Sequence, residues 1–581
     1  MDWYDWTQEA FEKARELRRP VLLFVKASWC RWCRELEERV LGDERAAMML
    51  EERFVCIRVD KDRRPDIDAR YSKGGWPTLA WLDDTGELLA SDTYLEAEDF
   101  LERARMVADY YAKNRETIAQ RIEEVERDRK RQETEEQQAT AGSEDALTIE
   151  LVDDVVRTIK ETADSEYGGW GSQQKFPHPE AIDLALVRWS QTGDQSMLTL
   201  VVRTLRNMQQ GEIHDQVEGG FFRYATRPDW SAPNYEKMLD SNAQRLGCYL
   251  EVIQAFGDDT FRQTAEGILS WMYDTLHDDT TRAFKGSQDA NLEYAHLATR
   301  DARRDFGRPA CDPTIFTNWN AMAVSALLKA SVVLGEVRHR DQALATLDFL
   351  MEELFDDDRG MYHYWDGSYH LPGMLTDQAY ALRALIDAMQ LAGENRYLAQ
   401  AEQLAKLTIE HLHSPTGGFY DTLYDPNARG GLRHRNRSIL DNAVMAEALV
   451  RLSHLAHVTD YADTARDALQ AFAGDYKRYG HYVAGYARSV DLLIHQPVHV
   501  TIVGPRRSEQ TRALRSAALA PYVASRIVQV LDPDEDTELL GRAGIVAGTA
   551  TEIPRAFVHQ GRESYAETSD PARLPALMTK T

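Results

Sequence analysis

The chain has 581 residues, 43% of them apolar, with 95 acidic against 68 basic side chains and a formal net charge of −27. Its length exceeds what one core serves, so two or three domains are expected, and its apolar fraction excludes a disordered chain. The acidic balance excludes nucleic acid and anionic membrane as partners, and no apolar run is long enough to span a bilayer.

The opening M-D-W-Y-D-W-T-Q-E-A lacks a basic-then-apolar leader pattern, so a cytoplasmic location is expected. Residues 2–18 place Trp3, Trp6, Ala10, Phe11, Ala14 and Leu17 on one stripe and predict a helix that Pro20 ends. The apolar run 21–27 reads as a buried strand, and helical periodicity follows from Cys30 to Glu52. Residues 54–60 form a second buried strand, followed by a short acidic helix and then G-G-W-P-T-L-A-W-L (74–82). A turn at Asp84-Thr85-Gly86, a strand at 87–90 and a helix at 97–111 complete a thioredoxin-like order over 1–112.

Residues 113–147 are rich in Arg, Glu and Gln and read as a solvated helical linker. From 148 to 495 the pattern is helical, interrupted by similar loops: G-G-W-G (168–171), G-G-F-F (219–222), G-M-Y-H-Y (360–364) and G-G-F-Y-D (417–421). Such recurrence predicts stacked all-α helical hairpins; a closed toroid of them would place alternate loops around one central pocket, and an open array would share no pocket. Residues 496–581 read as a small α/β region, with strands at 499–504 and 525–531 and a helix at 509–519.

Five cysteines in so long a chain make no disulfide framework. Two of them form Cys30-Arg31-Trp32-Cys33. Cys30 falls where a strand ends and a helix begins, so unpaired N–H groups and the helix dipole favour its thiolate, the form that attacks disulfides. Arg31 and Arg34 add positive charge, and Trp29 and Trp32 supply an apolar surround. Cys33, one turn on, is placed to resolve a mixed disulfide. No second Cys/His pair has zinc spacing, so no metal is expected, and no cofactor. Cys56, mid-strand, reads as a small core residue. Trp76-Pro77-Thr78 supports the dithiol, because a proline at a strand start after Gly74-Gly75 suits a cis peptide beside the cysteines.

The helical region carries polar clusters at its loop ends. K-F-P-H-P supplies Lys175 and His178. G-G-F-F-R-Y supplies Arg223 and Tyr224. P-N-Y-E-K-M-L-D-S-N-A supplies Tyr235, Glu236, Lys237, Asp240 and Asn242. Asp289 follows in F-K-G-S-Q-D-A-N, and Trp319 and Asn320 in T-N-W-N-A-M. Asp377 and Asp441 each stand near a helix start. Each alone has a plain structural reading. Asp377 and Asp441 suit first-turn acids, Lys237 an ion pair, Trp319 core and His178 a rigid loop. Gathered in one concavity they suit a carbohydrate, with rings stacking on sugar faces and carboxylates or amides bonding hydroxyls. A carboxylate pair there could perform acid–base work on a glycosidic bond.

These motifs together resemble the spermatogenesis-associated thioredoxin-like proteins and their bacterial and archaeal relatives. The residues that carry the resemblance are W-C-R-W-C, G-G-W-P-T, G-G-W-G-S-Q-Q-K-F-P-H-P, G-G-F-F-R-Y, P-N-Y-E-K-M-L-D-S-N-A, T-N-W-N-A-M and D-N-A. The resemblance implies a thioredoxin-like domain fused to an all-α, six-hairpin (α/α)6 toroid similar to that of N-acylglucosamine 2-epimerases and several glycoside hydrolases. Arginine far outnumbers lysine among the basic residues, and an acidic, lysine-poor surface suits a halophilic archaeal member, since salt screens self-repulsion. The chain departs from its relatives at Arg31 and Arg34, where they usually carry histidine, and at Asn234-Tyr235, where they often carry His-Phe. The usual acidic, glycine-rich segment is replaced by residues 293–307, and the C-terminal cysteine pair is missing, which leaves no tail thiol to relay to Cys30.

Three functions follow as expectations. The first is a thiol–disulfide oxidoreductase whose toroid binds a protein thiol client or a small, sugar-like ligand. The second is a carbohydrate-active enzyme, hydrolase or epimerase, with a structural or regulatory thioredoxin domain. The third is a non-catalytic scaffold.

Overall fold

The computed structural model describes residues 2–139, 147–545, 554–560 and 563–579. Two compact units result. The described part of the first is residues 2–139 with 421–436, and the rest of the described chain forms the second.

The first unit is the thioredoxin-like α/β domain. Its elements run β1 (Trp3–Tyr4), α1 (Gln8–Leu17), β2 (Val21–Lys26), α2 (Arg31–Leu36), α3 (Glu44–Arg53), β3 (Val55–Asp60), α4 (Pro65–Tyr71), β4 (Thr78–Leu82), β5 (Leu88–Asp92) and α5 (Ala97–Ala139). The sheet order is β1-β3-β2-β4-β5, parallel across β1, β3 and β2 and antiparallel from β2 through β4 to β5. β2 is buried almost end to end, which is why it reads as a continuous apolar run. Ala10, Phe11 and Ala14 of α1 pack on Leu23, Val25, Ile57 and Leu82. The expected helix over 2–18 therefore begins only at Gln8. Trp3 and Tyr4 instead pair with Cys56 and Ile57, because the free edge of β3 has unpaired backbone groups to satisfy. The helix expected from Cys30 to Glu52 breaks at Gly42, after a π-helical turn over Glu37–Leu41.

α5 continues far past residue 111 and bends at Asn114 (φ −121°, ψ 19°). The linker is therefore helical through Ala139, and its T-A-G-S-E-D end lies outside the described residues. Segment Asp421–Asn436 belongs to the first unit although the chain on either side belongs to the second. Arg70 of α4 holds it, bonding both oxygens of Asp421 at 2.9 and 3.2 Å and the His434 carbonyl at 2.7 Å. Gly430 must be glycine. Its φ is +51°, and a Cβ there would lie 2.1 Å from the Gly86 carbonyl oxygen.

The second unit contains the (α/α)6 toroid. Its helices are α6 (Ile149–Thr162), α7 (Pro179–Thr192), α8 (Gln195–Gln210), α9 (Leu239–Phe256), α10 (Asp259–Trp271), α11 (Thr317–Val333), α12 (Val337–Glu353), α13 (Leu375–Asp387), α14 (Arg396–Leu412), α15 (Ile439–Ala456), α16 (Asp460–Gln470) and α17 (Ala484–His495). Six of them, α7, α9, α11, α13, α15 and α17, form a closed inner ring, each against the next and the last against the first. Outer helices α8, α10, α12, α14, α16 and α6 back them in turn. Inner helices such as α11 and α15 are buried on most faces and so are apolar nearly all round, whereas α8 and α16 bury one stripe.

The C-terminal region is a small α/β module in the same unit. It comprises β6 (Val498–Val503), α18 (Glu509–Leu519), β7 (Arg526–Leu531), β8 (Arg555–Gln560) and β9 (Glu563–Thr568), with strand order β7-β6-β8-β9. β6 and β7 are parallel and the other pairs antiparallel.

Candidate functional sites

Cys30 caps the N-terminus of α2, and its Sγ accepts the Cys33 backbone N–H at 3.2 Å. That bond and the N-terminal end of the helix both favour charge on Cys30 sulfur. The Sγ also lies 3.7 Å from the Trp76 carbonyl oxygen, and the Trp76–Pro77 peptide is cis. Cys33 is buried, and its thiol is held far above the ordinary range by its bond to Cys30 and by burial. The two sulfurs thus differ, Cys30 receiving an N–H at a helix N-terminus and Cys33 buried with its thiol raised.

The tryptophans around the pair are fixed by acids. Trp29 Nε1 donates to Asp62 at 2.7 Å, and Trp76 Nε1 donates to Asp68 at 2.7 Å. The two rings meet edge to face at 5.9 Å, and Lys61 Nζ sits 4.7 Å from the Trp76 ring centroid. Trp32 is 55% exposed beside Tyr94. Arg31 turns its guanidinium to Glu35 at 3.1 Å, and Arg34 bonds the Ser28 carbonyl at 3.1 Å. Cys56 sits inside β3, and burial pushes its thiol up to about 12, as suits a core residue.

The inner ring encloses a cavity of about 580 Å³ in the second unit. Of the residues expected at a toroid pocket, His178, Asp240, Trp319 and Asp441 line it. Glu180 and Tyr380 stand with them. The Tyr380 hydroxyl is raised by burial and by the charges of Glu180, Asp441 and Asp240, against the opposing charge of Arg383. Burial also raises the Glu180 carboxyl. His178 is held down at about 3 by burial and by His481, whose ring is 4.6 Å away, so it stays neutral. Deeper in the cavity, Lys329 pairs with Glu251 at 2.6 Å and Arg383 with Glu447 at 3.3 Å. Arg451 bridges Glu447 and Asp387. Asp183 is pushed up to about 7 by burial and by Glu251.

The other expected pocket residues lie outside the cavity lining, and most of them hold loops. Asn242 and Asn320 share one device. Each sits in the first turn of an inner helix, accepts the N–H of a loop phenylalanine (Phe221 at 2.7 Å, Phe284 at 2.8 Å) and donates to that residue's carbonyl. Gln378 does the same for Met361 and Asn442 for Phe419. The recurrent amides thus join the recurrent Gly-aromatic loops to the helices that follow them.

The lysines have a parallel role. Lys175 bonds Asp164 at 2.6 Å and the Gly168 carbonyl, and Lys237 bonds Asp215 at 2.6 Å and the Gly219 carbonyl at 2.9 Å. Arg303 reaches the same Asp215 oxygen at 2.6 Å. Arg223 pairs with Glu236 at 3.4 Å, Tyr224 stacks on Phe176, and Tyr235 bonds His296. Asp377 is fully buried, bonded to His363 at 2.8 Å and to the Asn318 N–H at 3.1 Å. The Asp289 N–H donates to the Ala310 carbonyl.

Sequence reasoning passed over Glu180, Asp183, Tyr380, Arg383 and Glu447. Their signal was present as charged residues at helical spacing inside apolar inner-helix runs, as in A-I-D-L-A-L and V-M-A-E-A-L-V-R-L.

Fold and sites together define a protein with a thioredoxin-like dithiol domain and a charged-cavity (α/α)6 toroid in one chain. Residues 1–130 match the thioredoxin-like DsbH family, described as a protein of unknown function, DUF255. Across 713 aligned residues the chain is 24% identical to spermatogenesis-associated protein 20 of Mus musculus, covering 100% of this chain and 89% of that one. It is 26% identical over 102 residues to the disulfide bond reductase DsbH of Chlamydia pneumoniae, which covers 16% of this chain and 61% of that one. Among solved structures, cellobiose 2-epimerase from Spirochaeta thermophila is similar with a TM-score of 0.49 at 14% identity, over 60% of this chain and 96% of that one. D-mannose isomerase is similar with a TM-score of 0.48 at 12% identity, over 60% and 99%. No described helix is long and apolar enough to cross a membrane.

Proposed function

We propose that the protein is a thiol–disulfide oxidoreductase acting through Cys30 and Cys33. The observation that carries this reading is the asymmetry of the pair. Cys30 sulfur receives an N–H at a helix N-terminus, while Cys33 is buried with its proton held. The Cys30 thiolate attacks one sulfur of a client disulfide, forming a mixed disulfide and releasing the other client sulfur as a thiolate. Cys33 then loses its proton and attacks Cys30 sulfur. The Cys30–Cys33 disulfide forms and the second client thiol leaves, so the client is reduced by two electrons and the protein oxidised. A dithiol reductant returns the pair to its starting state. The match of residues 1–130 to the DsbH family is consistent with this chemistry. The test is reduction of insulin with dithiothreitol as the electron source. Wild type is expected to accelerate it, Cys30→Ser to abolish the acceleration, and Cys33→Ser to accumulate the mixed disulfide. A wild type no faster than Cys30→Ser overturns the reading.

A second reading concerns the toroid, and the presence of Glu180, Asp240, Asp441, Tyr380 and Trp319 in the lining of one cavity favours it. The cavity suits a polyhydroxylated small molecule, with the Trp319 ring against a sugar face and carboxylates on hydroxyls. Glu180, whose carboxyl is raised by its surroundings in the cavity wall, is the proton donor in this reading, and Asp240 or Asp441 is the base. Binding of a panel of mono- and disaccharides, measured by calorimetry, tests it. Asp441→Asn and Glu180→Gln are expected to abolish any binding or turnover that wild type shows. A wild type that binds no member of the panel overturns it.

A further inference from the structure

The C-terminal module meets the toroid along a seam of four histidines. His454 lies in the last turn of α15, and His457 is that helix's C-cap. His499 lies in β6 and faces His559 of β8 in register. The His499 ring is 6.1 Å from that of His454, 6.0 Å from His457 and 6.1 Å from His559. Imidazoles from two other elements, α15 and β8, thus surround one buried ring.

The neighbours of this seam offer little to a cation. On β7, the Gln529 side chain bonds His457 at 3.1 Å and donates to the Leu455 carbonyl at 2.7 Å. Thr501 lies 3.5 Å from His499 Nε2. The charge that faces His457 is Arg542, which opposes its protonation and is itself held by Glu402 at 3.1 Å and Glu538 at 2.8 Å. One turn back on α15, Arg451 is occupied by Asp387 and Glu447. Among the described residues no carboxylate supports a proton on any of the four histidines. Burial therefore holds all four below the ordinary histidine range, His454 at about 4, with neighbouring histidines opposing protonation of His454, His499 and His559 and Arg542 opposing that of His457. The module also closes one end of the cavity. Tyr522, Arg526 and their neighbours line it there, and Gln254 of α9 donates to the Leu519 carbonyl at 2.7 Å.

We propose that the four-histidine seam is an acid-released latch, whose protonation frees the C-terminal module from the toroid and opens that end of the cavity. At neutral pH the rings are uncharged and pack as aromatic surface. As pH falls, the first proton creates a cation in a buried site without an acid, and the next meets that charge about one ring spacing away. A released module hydrates the imidazoles and binds protons more readily, so acid favours release. The latch stands on the seam alone and is independent of what the cavity binds.

Hydrogen exchange of the full chain from about pH 7.5 to about pH 4.5, corrected for intrinsic rates, tests this. β6, β7, β8 and residues 519–527 are expected to lose protection together below about pH 5.5, with more than one proton taken up. β2 and α13 are expected to stay protected. The variant His454→Gln/His457→Gln is expected to move the midpoint down by at least about half a pH unit. If that variant does not fold, the wild-type profile decides. C-terminal protection that persists to about pH 4.5, or that is lost together with protection in β2, overturns the latch, as does an unmoved midpoint in the folded variant.

Discussion

Two adjacent residues on one helix separate the toroid's architecture from its cavity. Asp441 and Asn442 stand in the first turn of α15, yet only Asp441 lines the cavity. Asn442 is fully buried, accepts the Phe419 N–H at 2.6 Å and donates to the Phe419 carbonyl at 3.0 Å. Its third bond, to the Ser438 carbonyl, duplicates one that the helix backbone already makes. Asn442→Ala therefore strands two buried backbone groups, each costing about 1–3 kcal/mol, for a total of about 4 kcal/mol. Asp441→Asn keeps shape and volume and removes one helix-start charge, worth at most about 1 kcal/mol. Urea unfolding followed by tryptophan fluorescence and by circular dichroism measures both. Asn442→Ala is expected to lower the transition midpoint strongly and Asp441→Asn only slightly. A loss below about 1 kcal/mol for Asn442→Ala refutes the idea that these amides clamp the loops.

Other expectations follow from the same geometry. The Asp215 carboxyl, buried between Lys237 and Arg303, is held at about 2. Its stabilisation is therefore present above about pH 4 and lost as pH falls through about 2, worth about 2–3 kcal/mol. Acid titration of Asp215→Asn should lack that component, and a profile identical to wild type would contradict it. Arg70→Leu removes the bonds that hold Asp421 and His434, so limited proteolysis should cut within 421–436 at least tenfold faster (about 1.4 kcal/mol of local opening); unchanged cleavage would show the segment held elsewhere. Trp76→Phe loses the bond to Asp68 but keeps the ring, and should slow client reduction several-fold while leaving the Cys30–Cys33 disulfide able to form. Loss of disulfide formation itself would mean that Trp76 sets the geometry of the pair.

The fold was legible wherever one physical signal dominated. β2 is buried on both faces, and β3 is buried except around the exposed Arg58, so their apolar runs stood out. The toroid announced itself through four similar Gly-aromatic loops. Trp3 and Tyr4 were misread because their helical stripe is real in spacing, while the unpaired edge of β3 is a tertiary fact that sequence does not display. Segment 421–436 was invisible for a similar reason, since its partners Arg70 and Gly86 lie more than 300 residues away.

The candidate site divided along chemistry. Asn242, Asn320, Lys175 and Lys237 caught the eye because buried polar residues at loop ends are unusual. Burying unpaired backbone groups is costly, however, and these residues relieve that cost at the loops they touch. Glu180 and Tyr380 escaped notice because their helices look like ordinary apolar spans until the ring closes and makes their inner face a cavity wall.

The central claim is that Cys30 and Cys33 form a working dithiol, and equilibrium titration against reduced and oxidised dithiothreitol addresses it most directly. Thiols are trapped by alkylation and located by mass. With all thiols labelled after an acid quench and unfolding, Cys30 and Cys33 are expected to lose their labels together in one two-electron transition, while Cys56 and Cys248 stay labelled at every ratio. Failure of Cys30 and Cys33 to join under any oxidising ratio, with both still alkylated separately, would contradict it.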